Sequence, residues 1–268
     1  MTRPSGRSQH CFAAAFAAGA FALIASGFLS ATHADEADAR QLLKAMSDYL
    51  TAQQSISFGY DTNLEFVTAD HQKLLLASTG TVALKRPDKL RATREGGFAS
   101  IEMIFNGKTL TVVRKDTNLY TEVEAPGTLD NLIDELRNKY HRPVPGADLL
   151  SSTVYDALMT DVVDVKDLGS GVIGGAECDH LAFRNKDVDW QIWIAQGERP
   201  YPCRYVITSK EVDQAPQYSV QVRDWKTGSE VAADDFGFKN EGGAKKVDVR
   251  ELTDTDELPD HIAKGGAQ

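Results

Sequence analysis

Residues 178–226 contain four short runs in which apolar and polar side chains alternate, separated by breaks rich in turn-forming residues. Leu181 and Phe183 share one face of the first run, and Trp190, Ile192 and Ile194 one face of the second. Tyr205 and Ile207 do the same in the third, and Tyr218, Val220 and Val222 in the fourth. The opposite face carries His180, Arg184, Gln191, Arg204, Thr208, Ser219, Gln221 and Arg223. A period of two held over four consecutive runs leaves few folds open. It predicts an up-and-down antiparallel meander with one apolar and one wet face. Function then turns on whether the apolar face meets a protein core or an apolar ligand.

The chain before the meander extends the same pattern. Ala39, Leu42, Leu43, Met46, Tyr49 and Leu50 recur at helical spacing and predict an amphipathic helix over 36–54 that caps the sheet. Residues 55–68, with Ile56, Phe58 and Tyr60 on one face, and 73–85 read as long strands, the second stopped by Pro87. The charged run 88–95 reads as an exposed edge strand. Over 100–115, Ile101, Met103 and Phe105 alternate up to Asn106-Gly107, a dipeptide preferred in type I′ turns, and Leu110 and Val112 follow. A strand over 119–124 stops at Pro126-Gly127. Thr128 then caps a helix through Lys139, with Asp130 in its first turn and Leu129, Leu132, Ile133, Leu136 and Tyr140 as its apolar stripe. Short helical pieces at 147–151 and 154–159 complete an insertion, where a lid would sit. Residues 162–173 return to strand. Residues 232–238 and 245–252 are weak strand candidates, and 253–268 read as a loose tail.

Compartment follows from the N-terminus. Arg3 and Arg7 precede an apolar, alanine-rich stretch over 11–29, and Ala31-Thr32-His33-Ala34 offers small residues for a cut after Ala34. About 19 apolar residues could just span a bilayer. The acidic, helix-forming sequence beginning at Asp35 instead favours a cleaved signal peptide, an exported protein and no permanent membrane span. Processing removes two of 29 basic side chains and none of 39 acidic ones, for a net charge near −12. Such a balance disfavours nucleic acid and anionic headgroups as simple electrostatic partners. Residues 35–252 then form one domain, followed by a flexible tail over 253–268.

Cys178 and Cys203 remain after processing, and two cysteines in an exported chain suggest a disulfide. Strand geometry speaks against it. With a strand between them they stand roughly 10 Å apart, against the ~7 Å a disulfide tolerates. Alternation also puts Cys178 on the His180 face and Cys203 on the Tyr205 face.

Catalytic signatures are weak. Gly169-Ser170-Gly171-Val172-Ile173-Gly174 matches the dinucleotide fingerprint, but strand-like residues follow where a helix is required. His71, His141, His180 and His261 show no metal-ligand spacing, and no Cys-x-x-Cys is present. Cys178 and His180 share a strand face, too far apart for a nucleophile–base pair. No G-x-S-x-G elbow exists. Neither cofactor nor metal is implied, and the reading is non-enzymatic. Trp193 and Trp225 fall on the wet face, where a covering segment or a partner protein would account for them.

Several peptides carry a family resemblance: Asn106-Gly107-Lys108, Glu124-Ala125-Pro126-Gly127-Thr128-Leu129-Asp130 and Ala147-Asp148-Leu149-Leu150. It continues in Gly175-Ala176-Glu177-Cys178-Asp179-His180-Leu181-Ala182-Phe183 and Asp189-Trp190-Gln191-Ile192-Trp193-Ile194. Over most of residues 36–226 the chain resembles a family of predicted periplasmic proteins with a LolA/LolB-type lipoprotein-carrier fold. The resemblance implies a mainly β (α+β) fold, a curved antiparallel half-open β-barrel with an N-terminal helix and a helical lid inserted at about 128–160. It also implies a periplasmic location. Carriers of that fold hold acyl chains between sheet and helices.

On that basis Phe58, Tyr60, Met103, Phe105, Leu132, Leu136, Phe183, Trp190, Ile192 and Tyr205 are candidates to line an apolar cavity. Lipid acyl chains or a lipidated protein are the candidate ligands. A protein-interaction or envelope-sensing module, with Trp193 and Trp225 as its patch, is the alternative. A hydrolase ranks third.

Overall fold

The structure, a computed structural model, describes residues 28–142 and 144–259. Most of the expected signal segment lies outside the described residues. Helix α1 runs Phe28–Ala52 and so begins ahead of the expected cut. Six strands follow: β1 (Ser55–Val67), β2 (Lys73–Lys85), β3 (Lys89–Gly96), β4 (Ser100–Phe105), β5 (Thr109–Arg114) and β6 (Leu119–Glu124). Helix α2 (Leu129–Asn138), a 3₁₀ turn at Ala147–Leu150 and helix α3 (Val154–Met159) form the insertion. The second half is β7 (Asp164–Ile173), β8 (Ala176–Arg184), β9 (Val188–Ala195), β10 (Pro202–Ser209) and β11 (Gln217–Thr227), and a two-residue β12 (Lys245–Lys246) comes last.

All twelve strands join one curved open sheet in the order β12-β6-β5-β4-β3-β2-β1-β11-β10-β9-β8-β7. Two meanders thus meet where β1 pairs with β11, and among the described residues only β12 runs parallel to its neighbour. The expected curved antiparallel sheet with an N-terminal helix and a helical insertion is what the structure shows. Among the described residues no helix is long and apolar enough to cross a membrane.

Local chemistry accounts for the elements. Ala39, Leu43, Met46 and Leu50 recur at intervals of three and four and are buried against the second meander, while Glu36–Arg40 and Lys44–Asp48 pair outside. Thr128 caps α2 in a reciprocal box with Asn131: the Thr128 hydroxyl accepts from the Asn131 amide, and the Asn131 carboxamide accepts from the Thr128 amide. The Asn106-Gly107 turn is not type I′. Only Gly107 has a positive φ (84°), and Asn106 Oδ1 accepts the Lys108 and Thr109 amides, giving a three-residue loop.

Four further expectations change. β3 is not an edge; it lies between β2 and β4. Its charge is tolerated because Arg91 bonds Glu102 and Asp234 at 2.6 Å each, and Asp234 comes from a segment crossing the outer face. Residues 232–238 are that irregular segment rather than a strand, anchored by buried Phe236.

The cysteines are joined, with Cα atoms 6.9 Å apart. Pro202 opposes Ile194 while Arg204 opposes Trp193, so Cys203 is the extra residue of a β-bulge. A bulge re-aims its side chain, here onto the Cys178 face.

Residues 253–259 are packed, not loose. After β12 the chain rounds the β6 edge and returns across the inner face, where Leu252 and Pro259 are buried.

Candidate functional site

The inner face of the sheet holds two apolar clusters. Under α1 and α3, Leu181, Phe183, Trp190, Ile192, Ile194 and Tyr205 are all buried. Trp190 stacks on Phe183 at 3.9 Å and meets Tyr205 edge-on at 5.7 Å. Burial raises the Tyr205 hydroxyl well above its ordinary range. Under α2, Leu84, Leu90, Phe105 and Leu110 are buried with Leu129 and Leu132.

The two clusters meet at Trp225. Its ring stacks between Phe58 (5.4 Å) and Tyr201 (5.3 Å), and its Nε1 donates to the Tyr49 hydroxyl at 3.2 Å. Burial would raise that hydroxyl, but hydrogen bonds from Arg199 and Trp225 outweigh it and hold Tyr49 below its ordinary range. Trp225 therefore does not share a face with Trp193. Asp224 takes a positive φ (54°), and between the pairs Gly59–Arg223 and Ser57–Lys226 strand β11 carries one residue too many. That bulge turns Trp225 inward. Trp193 stays outside, stacked on His180 at 3.9 Å with Arg204 5.8 Å from its ring and the disulfide beside it. The two tryptophans form no common patch.

Between the two covered ends lies a stretch less fully buried than either. Phe58, Tyr60, Ala92, Met103, Val112, Leu136, Val220 and Trp225 pack on the clusters yet are only half-buried. Tyr60 lies over Gly80 and donates to the Thr93 carbonyl at 2.8 Å. A Cβ at Gly80 would meet that carbonyl at 2.0 Å and the Tyr60 ring at 2.6 Å, so only glycine lets the ring lie there. Burial pushes the Tyr60 hydroxyl up to about 12, with the Glu257 carboxylate adding to the shift.

The returning C-terminal segment borders this stretch. Arg94, Ile101 and Arg114 stand in register across β3, β4 and β5 on the inner face. Arg114 donates to the Thr253 carbonyl at 2.8 Å, and Arg94 to the Thr255 and Asp256 carbonyls at 2.9 Å each. Arg142, just past α2, bonds the Thr255 hydroxyl and the Asp256 carboxylate. The Glu257 carboxylate reaches inward, accepting from Thr62 and Tyr218 at 3.4 Å each. Burial holds it above the ordinary carboxylate range against the opposing pull of Arg94.

The ten cavity candidates therefore divide. Phe183, Trp190, Ile192 and Tyr205 lie in the core beneath α1, and Phe105 and Leu132 are buried at the α2 end. Phe58, Tyr60, Met103 and Leu136 border the open stretch. Val112, Val220 and Trp225 belong with them and were missed. Val112 faces Met103 directly across the β4–β5 pair, a register readable from the hairpin, whereas the bulge hid Trp225. Gly169–Gly174 belongs to β7 and the turn into β8, so no helix N-terminus follows it. Among the described residues no three His, Cys, Asp or Glu side chains cluster as metal ligands.

The family model described as predicted periplasmic protein (DUF2092) matches residues 39–250. No curated protein sequence matches the chain. Similar solved structures include the Mycobacterium tuberculosis lipoprotein LppX, at 13% identity and a TM-score of 0.46, covering 74% of this chain and all of that one. A LolA superfamily protein from Nitrosomonas europaea scores 0.36 at 13% identity, covering 75% of this chain and 98% of its own. MucB in its complex with MucA from Pseudomonas aeruginosa scores 0.42 at 12% identity, covering 75% and 61%. These likenesses are too distant to transfer a ligand or a residue.

Proposed function

We propose that this chain, which belongs to the DUF2092 family of predicted periplasmic proteins, binds apolar chains on the inner face of its sheet. The ligand is a lipid, or the acyl chain of a lipidated protein, and no covalent chemistry is involved. One observation carries the reading. Phe58, Tyr60, Met103, Val112, Val220 and Trp225 form a contiguous apolar stretch that the helices leave half-covered. A face needed only as core gains from being closed, since each Å² left wet forfeits about 25 cal/mol. The same stretch offers an acyl chain ~0.8 kcal/mol per buried CH₂.

Native mass spectrometry of the protein purified from its own periplasm tests this directly. A co-purifying lipid or acylated peptide is the expected result, together with binding of a fluorescent acyl probe that Met103→Asp weakens about tenfold or more by placing a carboxylate against the chain. A clean apo mass with no probe binding would overturn the proposal.

A further inference from the structure

The apolar stretch ends at a row of charge. Arg94 and Arg114 stand in register with Ile101 between them, and Arg142 faces them from the end of the lid helix. Three guanidinium groups gathered on an inner face are out of keeping with a chain of net charge −10. Arg114 pairs with Asp116 in the turn that follows it, and all three arginines hold an acidic segment of the same chain, residues 252–259, with Asp254, Asp256 and Glu257 at its centre.

The match is incomplete. Arg94 donates to two neutral carbonyls, although the planar fork of a guanidinium suits a carboxylate or phosphate far better. The Glu257 carboxylate receives two long hydrogen bonds, from Thr62 and Tyr218, rather than one from a guanidinium. Beside the segment lies a cavity of about 150 Å³, walled by Leu75, Leu76, Phe98 and Ala99 together with Arg94 and Glu257. Phe98 on its rim is 47% exposed.

We propose that Arg94, Arg114 and Arg142 bind the head of an anionic amphiphile whose chain lies on the adjoining apolar face, and that residues 252–259 occupy this head site as a displaceable stand-in. The inference rests on the acyl-binding reading above and narrows its ligand class. Asp254 and Asp256 pair with Arg114 and Arg142, while Arg94 is left with carbonyl oxygens alone. An anionic head supplies the oxygen pair that the Thr255 and Asp256 carbonyls imitate. Once it docks, the segment leaves.

The test compares lysophosphatidylglycerol with lysophosphatidylcholine and monoacylglycerol of the same chain length, each below its micelle concentration, on the full protein. Amide exchange over 252–259 is followed alongside. The anionic probe should bind about tenfold or more tightly than the other two, as charge-assisted bonds require, and should speed exchange in that segment. Arg94→Gln with Arg142→Gln should erase the preference of the anionic probe over monoacylglycerol. Arg142→Gln alone, at a half-exposed position, should reduce it without risk to the fold. Equal binding of all three probes would overturn this inference and leave acyl binding standing, and so would unchanged exchange in the segment. Inorganic phosphate releasing the segment as well as the amphiphile does would assign the arginines to a free anion and overturn it too. If none of the probes binds, both readings fall.

Discussion

The two meanders are built from the same alternating pattern, but the chain treats their inner faces differently. On β7–β10 the apolar side chains are sealed beneath α1 and α3, and a disulfide ties β8 to β10 on the other side. On β1–β5 the lid helix covers only one end; aromatic and aliphatic side chains beyond it stay half-buried, and an ion-paired segment borders them. Alternation thus specifies which face is apolar, while coverage by elements distant in sequence decides whether that face is core or surface. The first meander has the character of a platform and the second that of a frame.

The sharpest way to break this contrast is to truncate one side chain in each half. Trp190→Ala removes a ring stacked on Phe183 in the sealed half and should cost about 3–5 kcal/mol of unfolding free energy. Met103→Ala should cost about 1–2 kcal/mol, since a half-covered side chain forfeits only part of its burial. Denaturant titration of both variants checks this. Equal losses would mean that the open half is packed as tightly as the sealed one, and the acyl-binding reading would lose its support.

Reduction of Cys178–Cys203 acts on the sealed half alone. The bond closes a loop with a sequence separation of 25, for which chain entropy suggests a stabilisation of about 3 kcal/mol. Reduced protein, or Cys178→Ser with Cys203→Ser, should unfold earlier in denaturant while binding an acyl probe with unchanged affinity. A parallel fall in affinity would show the two halves to be coupled and would sink the division between them.

What was legible in the sequence was whatever depends on neighbours along the chain. The meander, the Thr128 cap, the apolar stripe of α1 and the inserted helices all follow from local spacing. Two bulges were invisible because one extra residue shows only in cross-strand register. At Cys203 the bulge allowed the disulfide, and at Asp224 it turned Trp225 inward. The placement of β3 and the docking of residues 252–259 were hidden for another reason. Each depends on ion pairs or hydrogen bonds spanning more than a hundred residues, such as Arg91 with Asp234 and Arg142 with Asp256, and a run of charges carries no sign of its partner. Of the candidate site, the half-buried Phe58, Tyr60, Met103 and Leu136 came from alternation and helical spacing. The arginines beside them did not, because on a strand an inward-facing arginine reads as a break in the pattern.

The smallest expected effect bears on the border of the open half. Burial raises the Glu257 carboxyl above its ordinary value of 4.5, so the docked segment binds a proton more readily than the released one. Docking is therefore unpenalised below pH 4.5, weakens as pH climbs toward the raised value, and is constant above it. Around this carboxyl stand Arg94 from β3, Tyr60 and Thr62 from β1, Ser78 from β2 and Tyr218 from β11. The two phenols are themselves raised by burial and remain protonated throughout the window. Asp254 and Asp256 of the same segment pair with Arg114 and Arg142. Glu257→Gln isolates the buried group. Amide exchange over 252–259, corrected for its intrinsic pH dependence, should quicken on going from pH 5 to 7.5 in the wild type and much less in the variant. An identical pH response in both would show that the buried Glu257 carboxyl does not govern the docking of the segment.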